Sequence, residues 1–210
     1  NPTVGDLDGN AALITKYTKD AVAASADVVV FPEMVLTGYP VEDLALRASF
    51  RSASKAALAQ LVTSLDSSIV CVVGYLDQSP SGAPQNTVAI VYESKVVATY
   101  TKRHLPNYGV FDEFRNFVPG DSTLVVRVKG VDIGIAICED IWHSLADLAA
   151  RTPGLVLVPN GSPYERNKDD VRLALVQKRA KEVGAPLAYV NMTGGQDDLV
   201  FDGDTIVVDE

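Results

Sequence analysis

Short apolar runs alternate with segments of helical periodicity along almost the whole sequence, and that alternation leaves few folds open. Val28–Phe31 is a continuous apolar run stopped by Pro32, which predicts a short buried strand. Before it, Leu13, Tyr17, Ala21 and Ala24 keep one helical face apolar, with Asp8 or Asn10 as the N-cap. After it, Ala57, Leu58, Leu61, Val62 and Leu65 recur at helical spacing and predict an amphipathic helix. Ile69–Tyr75 reads as the next strand. Two hairpins follow, Thr87–Tyr92 with Val96–Thr101 across Glu93-Ser94-Lys95, and Thr123–Val128 with Val131–Ile137 across Lys129-Gly130. Leu145–Ala150 predicts a helix, Leu155–Val158 a strand, and Asp169–Val183 a longer helix stopped by Gly184. Leu187–Met192 and Thr205–Val208 complete the strands, with Gly194-Gly195 read as a turn before the last one. Strands separated by helices yet interrupted by hairpins imply α/β layers on mixed rather than purely parallel sheets.

The 210 residues suit one large domain, with no fixed-period repeat, low-complexity tract or linker to divide them. The first residues, Asn1-Pro2-Thr3-Val4-Gly5-Asp6, read as a loop leading to a helix, without an initiator Met, and the last follow directly on a strand. The expectation is therefore a fragment. With 18 Lys and Arg against 27 Asp and Glu, the net charge is −9, which repels phosphates and argues against nucleic acid or anionic membrane surfaces as partners. No apolar run approaches the roughly 18 residues of a bilayer span. No secretory signal opens the sequence, so a reducing cytoplasm is the default location.

Two cysteines cannot make a disulfide framework, no Cys/His cluster has zinc-ligand spacing, and only two histidines, His104 and His143, argue against a histidine triad. Cys71 sits inside Ser68-Ile69-Val70-Cys71-Val72-Val73 and reads as a small core residue. Cys138 ends an apolar run and is followed at once by Glu139-Asp140-Ile141-Trp142, which is either a presented thiol or another buried strand-end cysteine. A reactive thiol needs a base, because the thiolate is the nucleophile. Glu33 and Lys102 both sit where a strand yields to a loop. If those strands are neighbours, Glu33 can take the thiol proton, Cys138 attack a carbonyl or nitrile carbon, and Lys102 stabilise the oxyanion. Taken singly, Glu33 is better read as a helix-entry or turn carboxylate and Lys102 as a solvated surface charge.

The words around these residues favour the catalytic reading. Phe31-Pro32-Glu33-Met34, Lys102-Arg103-His104-Leu105-Pro106 and Ala136-Ile137-Cys138-Glu139-Asp140-Ile141-Trp142 resemble, in order, the glutamate, lysine and cysteine motifs of the nitrilase (carbon–nitrogen hydrolase) superfamily. Longer strings narrow the resemblance. Leu36-Thr37-Gly38-Tyr39-Pro40, Leu105-Pro106-Asn107-Tyr108-Gly109-Val110-Phe111-Asp112-Glu113 and Asn160-Gly161-Ser162-Pro163-Tyr164 are similar to the glutaminase domains of glutamine-dependent NAD synthetases.

The resemblance implies a nitrilase-type α-β-β-α sandwich, two mixed sheets face to face with helices outside. It implies Glu33 as general base, Lys102 as oxyanion stabiliser, Cys138 as nucleophile and Glu113 as a further acid that holds Lys102. Tyr108, Ser162 and Lys168 match positions that grip glutamine, and Phe111 is placed to wall the pocket. The implied reaction frees ammonia from glutamine through a thioester and feeds the amidation of deamido-NAD. It needs no metal or organic cofactor, and ATP with magnesium belongs to a synthetase domain that nothing in these residues resembles. Family members begin with a strand ahead of the Asn-Pro-Thr motif, continue beyond Glu210 and assemble as homo-oligomers. Two other readings stay in view, a stand-alone aliphatic amidase or carbamoylase of the same superfamily and a non-catalytic docking module of a synthetase.

Overall fold

A computed structural model describes residues 1–166 and 169–209. Helix α1 (Leu7–Ala23) opens one turn earlier than its apolar spacing predicts, because Asp6 is the N-cap and accepts the Gly9 N–H at 2.9 Å. Asn10 lies inside the helix instead, where its amide donates to the carbonyls of Thr3 and Leu36 at 2.8 and 3.1 Å. Those two bonds fix the helix's rotation. Asn10, Ile14 and Thr18 face inward, and Tyr17, expected on the apolar stripe, is 52% exposed.

The first sheet collects β1 (Val28–Val30), β2 (Val70–Gln78), β3 (Pro84–Tyr92) and β4 (Lys95–Thr101) in that spatial order. β1 runs parallel to β2, and the other neighbours are antiparallel. Helix α2 (Ala48–Ser64) joins β1 to β2, and the one-turn helix α3 (Glu113–Asn116) follows β4. The second sheet starts with the hairpin β5 (Leu124–Val128) and β6 (Val131–Ile135). After the short α4 (Ala146–Ala149) it adds β7 (Leu155–Asn160), then α5 (Asp169–Val183) and β8 (Leu187–Asn191). β9 (Thr193–Gln196) and β10 (Leu199–Asp202) form a separate hairpin, and β11 (Ile206–Val208) closes the sheet in the order β11-β8-β7-β6-β5. Both predicted hairpins close on two residues with positive φ, Glu93-Ser94 (50° and 56°) and Lys129-Gly130 (50° and 83°), the pairing whose twist matches the strands. Gly194 and Gly195, expected as a turn, lie within β9, and the reversal falls on the polar pair Asp197-Asp198.

Strand alternation then sorts side chains into layers. Val70 and Val72 of β2 meet Ile133 and Ile135 of β6 between the sheets. Cys71, Val73 and Tyr75 point the other way, against Ile14, Leu58, Leu61 and Val62 of the outer helices. Val156 and Val158 of β7 likewise cover Val176 and Ala180 of α5 on the far side. The result is an α-β-β-α sandwich of two mixed sheets, and β2 and β7 read as unbroken apolar runs because both of their faces are covered. Among the described residues, no helix is long and apolar enough to cross a membrane.

Candidate active site

β1, β2 and β4 point the same way in the first sheet, and β6 and β7 run parallel in the second. Residues that follow β1, β4, β6 and β7 carry the candidate groups, and the sandwich brings them together. Glu33 lies on a tight turn after β1, where Leu36 N–H bonds Gly74 O at 3.0 Å and Glu33 N–H bonds Asn160 O at 3.3 Å. A Cβ on Gly74 would stand 2.3 Å from the Met34 nitrogen, so this approach of the turn to β2 requires glycine.

Lys102, directly after β4, is fully buried with Glu33. Its Nζ lies 2.8 Å from Glu33 Oε1, and 3.0 and 2.9 Å from the two oxygens of Glu113. Asn86 of β3 donates to the same Glu33 Oε1 at 2.7 Å, and Gly161 N–H donates to Oε2 at 2.9 Å. Tyr39 donates its hydroxyl to Glu113 Oε1 at 2.9 Å. Burying such an ion costs several kcal/mol and is weak support for stability, so a group of three in an apolar sandwich points to chemistry.

Cys138 follows β6 and begins a one-turn 3-10 helix, Cys138–Trp142, with its own φ at 44°. That left-handed conformation costs a non-glycine residue about 1–3 kcal/mol and is held only where its surroundings impose it. Cys138 is 6% exposed and within electrostatic reach of Glu33, Lys102, Glu113 and the Gly161 N–H. Burial, then the Glu33 charge, push its thiol well up, against the pull of Lys102. The resting thiol is therefore protonated and needs a base as it attacks. For Lys102, burial works against the ammonium, but the Glu113 and Glu33 carboxylates outweigh it and hold the charge on. Burial first, and then repulsion from Glu33, push Glu113 up to about 7 despite Lys102.

The expected substrate positions are placed unequally. Tyr108 is half exposed beside the site and donates to Glu139 Oε2 at 2.8 Å. Phe111 meets it edge-on at 5.8 Å and lines a cleft with Tyr39 and Glu113. Ser162 is buried next to Gly161, but its hydroxyl and carbonyl face the Arg172 guanidinium at 3.3 and 3.2 Å. Lys168 lies outside the described residues. Sequence reasoning missed Asn86, Tyr39, Asp140 and Arg172. Of these, Tyr39 and Asp140 stand inside the quoted motifs and Asn86 is a lone amide entering an apolar strand, the only signals the sequence carried for them.

The fold and the site define a hydrolase class that comparison makes explicit. The carbon-nitrogen hydrolase family matches residues 1–210, and the chain belongs to it. It is 50% identical, over 98% of its length, to a glutamine-dependent NAD(+) synthetase of Xylella fastidiosa, of which it covers 38%. The solved glutamine-dependent NAD+ synthetase of Acinetobacter baumannii superposes with a TM-score of 0.95 at 38% identity, over 100% of this chain and 40% of that one. An amidase from Nesterenkonia sp. AN1 superposes with a TM-score of 0.84 at 27% identity, over 100% of this chain and 79% of its own; there the acetamide moiety of fluoroacetamide is covalently added at the active-site cysteine. The chain thus spans well under half the length of the synthetases it resembles.

Proposed function

We propose that residues 1–210 act as a single glutaminase unit, releasing ammonia from the side-chain amide of glutamine for the amidation of deamido-NAD. The observation that carries this reading is the buried Lys102 ammonium clamped between Glu33 and Glu113, beside a cysteine held in a left-handed turn. Glu33 accepts the thiol proton as Cys138 attacks the amide carbon, and Lys102 faces the oxyanion that forms. The proton passes from Glu33 to the departing amine, and ammonia leaves a thioester. Water deprotonated by Glu33 then attacks that thioester, and glutamate and the thiol are restored. Glu113 and Tyr39 hold Lys102 in place. Tyr108, Phe111, Ser162 and Lys168 are assigned to glutamine binding.

The half-reaction is assigned no metal and no organic cofactor. ATP with magnesium is assigned to a synthetase partner, on the same polypeptide or in a complex with it. A homo-oligomer in a reducing cytoplasm is the setting that suits a thiol nucleophile. The test compares ammonia release from glutamine with release from simple aliphatic amides. Rapid turnover of glutamine with labelling of Cys138 by a glutamine-like electrophile is expected. Turnover of an aliphatic amide with glutamine ignored favours the stand-alone amidase, and labelling at neither cysteine favours a docking module.

A further inference from the structure

The Asp140 carboxylate touches the backbone just before Cys138 and just after Lys102. It is 2% exposed and accepts four hydrogen bonds. Its Oδ2 accepts the Ile137 N–H at 2.9 Å, from the residue immediately before Cys138, and the Tyr100 hydroxyl of β4 at 2.9 Å. Its Oδ1 accepts the N–H groups of Arg103 and His104 at 3.1 and 2.8 Å, from the two residues immediately after Lys102. Asp140 N–H also closes onto Ile137 O at 2.9 Å, so the same residue shapes the turn that carries Cys138.

We propose that Asp140 is a positioning residue, which sets the separation between the Cys138 sulfur and the Lys102 ammonium by tying the strand end before one to the backbone after the other. This rests on the reading of Cys138 as nucleophile and Lys102 as oxyanion stabiliser. Each oxygen serves two donors, and no neutral side chain of the same shape accepts at both ends. An amide presents two N–H groups at one of them, facing donors. One pair of bonds is then lost, and the gap is free to open. A misplacement of about 1 Å costs on the order of 100-fold in rate.

The experiment compares Asp140→Asn with the unaltered protein, measuring kcat and KM for glutamine alongside alkylation of Cys138 by iodoacetamide. Alkylation needs the thiol but no oxyanion partner. The expected result is a kcat about 100-fold lower, with KM and the alkylation rate each within about threefold of the starting values. An unchanged kcat overturns the proposal, and so does alkylation that falls as far as turnover, since the thiol itself is then damaged. If Asp140→Asn does not fold, Tyr100→Phe decides, because it removes a single donor. A kcat about three- to tenfold lower at constant KM carries the proposal, and an unaltered kcat sinks it. If the unaltered protein fails to hydrolyse glutamine, the glutaminase reading fails instead, and Asp140 is not the cause.

Discussion

The Lys102 ammonium and the Glu33 carboxylate meet at 2.8 Å with both side chains fully buried, and Glu113 closes on the same ammonium at 2.9 Å. Two carboxylates and one ammonium leave the cluster with a net negative charge when all three are ionised. Its members are therefore unequal. Lys102→Met leaves two facing carboxylates with no cation and should lower unfolding stability by about 3–5 kcal/mol. Glu33→Gln leaves a balanced Lys102–Glu113 pair and should lower it by only about 1–2 kcal/mol, chiefly through the Gly161 and Asn86 bonds. Glutamine turnover should fall roughly 10²–10⁴-fold in both. Denaturant titration checks the ordering, and equal losses of stability in the two variants would contradict this account.

Glu113 makes the cluster pH-dependent. Burial and Glu33 hold its carboxyl at about 7, above the ordinary value of 4.5, so the fold prefers it protonated. Its contribution to stability is fully present below about 4.5 and is lost as the pH rises through about 7. Glu113→Gln, which cannot ionise, should flatten that part of the profile. Unfolding midpoints measured from pH 5 to pH 8 should decline in the unaltered protein more than in the variant. A steeper decline in the variant would count against the assignment.

Gly161 sits where backbone approaches carboxylate. A Cβ there would stand 2.7 Å from Tyr39 Cδ1 and 3.3 Å from Glu33 Oε2. Gly161→Ala must therefore displace the Tyr39 ring, the Glu33 carboxylate or the bond between Gly161 N–H and Glu33. Since Tyr39 also carries the Glu113 bond, the displacement reaches Lys102 from two sides. We expect kcat/KM for glutamine to fall about 100-fold with the far-ultraviolet circular dichroism unchanged. Full activity in this variant would mean that Glu33 is not positioned through Gly161.

The three central groups are legible in the sequence because each stands where an apolar run breaks. Val28–Phe31 stops at Pro32-Glu33, Val96–Thr101 at Lys102 and Val131–Ile137 at Cys138. Strand ends carry that signal locally. The supporting groups do not, because their roles come from partners far away in the chain, 53 residues for Asn86 with Glu33 and 74 for Tyr39 with Glu113. Ser162 shows the converse difficulty. Its place next to Gly161, whose N–H bonds Glu33, follows from the motif, but the direction of its hydroxyl is set by Arg172, which α5 delivers and Asp202 of β10 fixes at 2.8 Å. The helix rotation that exposes Tyr17 is likewise decided by Asn10 bonding a loop and a turn outside its own periodicity.

The two cysteines should separate cleanly. Cys71 lies on the helix-facing side of β2, fully buried, with its sulfur 3.7 Å from Thr18 Oγ1, and burial pushes its thiol up. Nothing in the proposed reaction uses it. Cys71→Ala removes one buried sulfur and leaves a small cavity, so it should lower stability by about 1 kcal/mol and leave glutamine turnover unaltered. Cys138→Ala removes the nucleophile together with a buried sulfur, and keeps the Cβ and the φ of 44° that goes with it. Turnover should vanish while stability falls by about 1 kcal/mol, as in Cys71→Ala. Intact-mass measurement after exposure to a glutamine-like electrophile checks both at once, with one adduct expected on Cys71→Ala and none on Cys138→Ala. An adduct that persists in Cys138→Ala would move the nucleophile elsewhere.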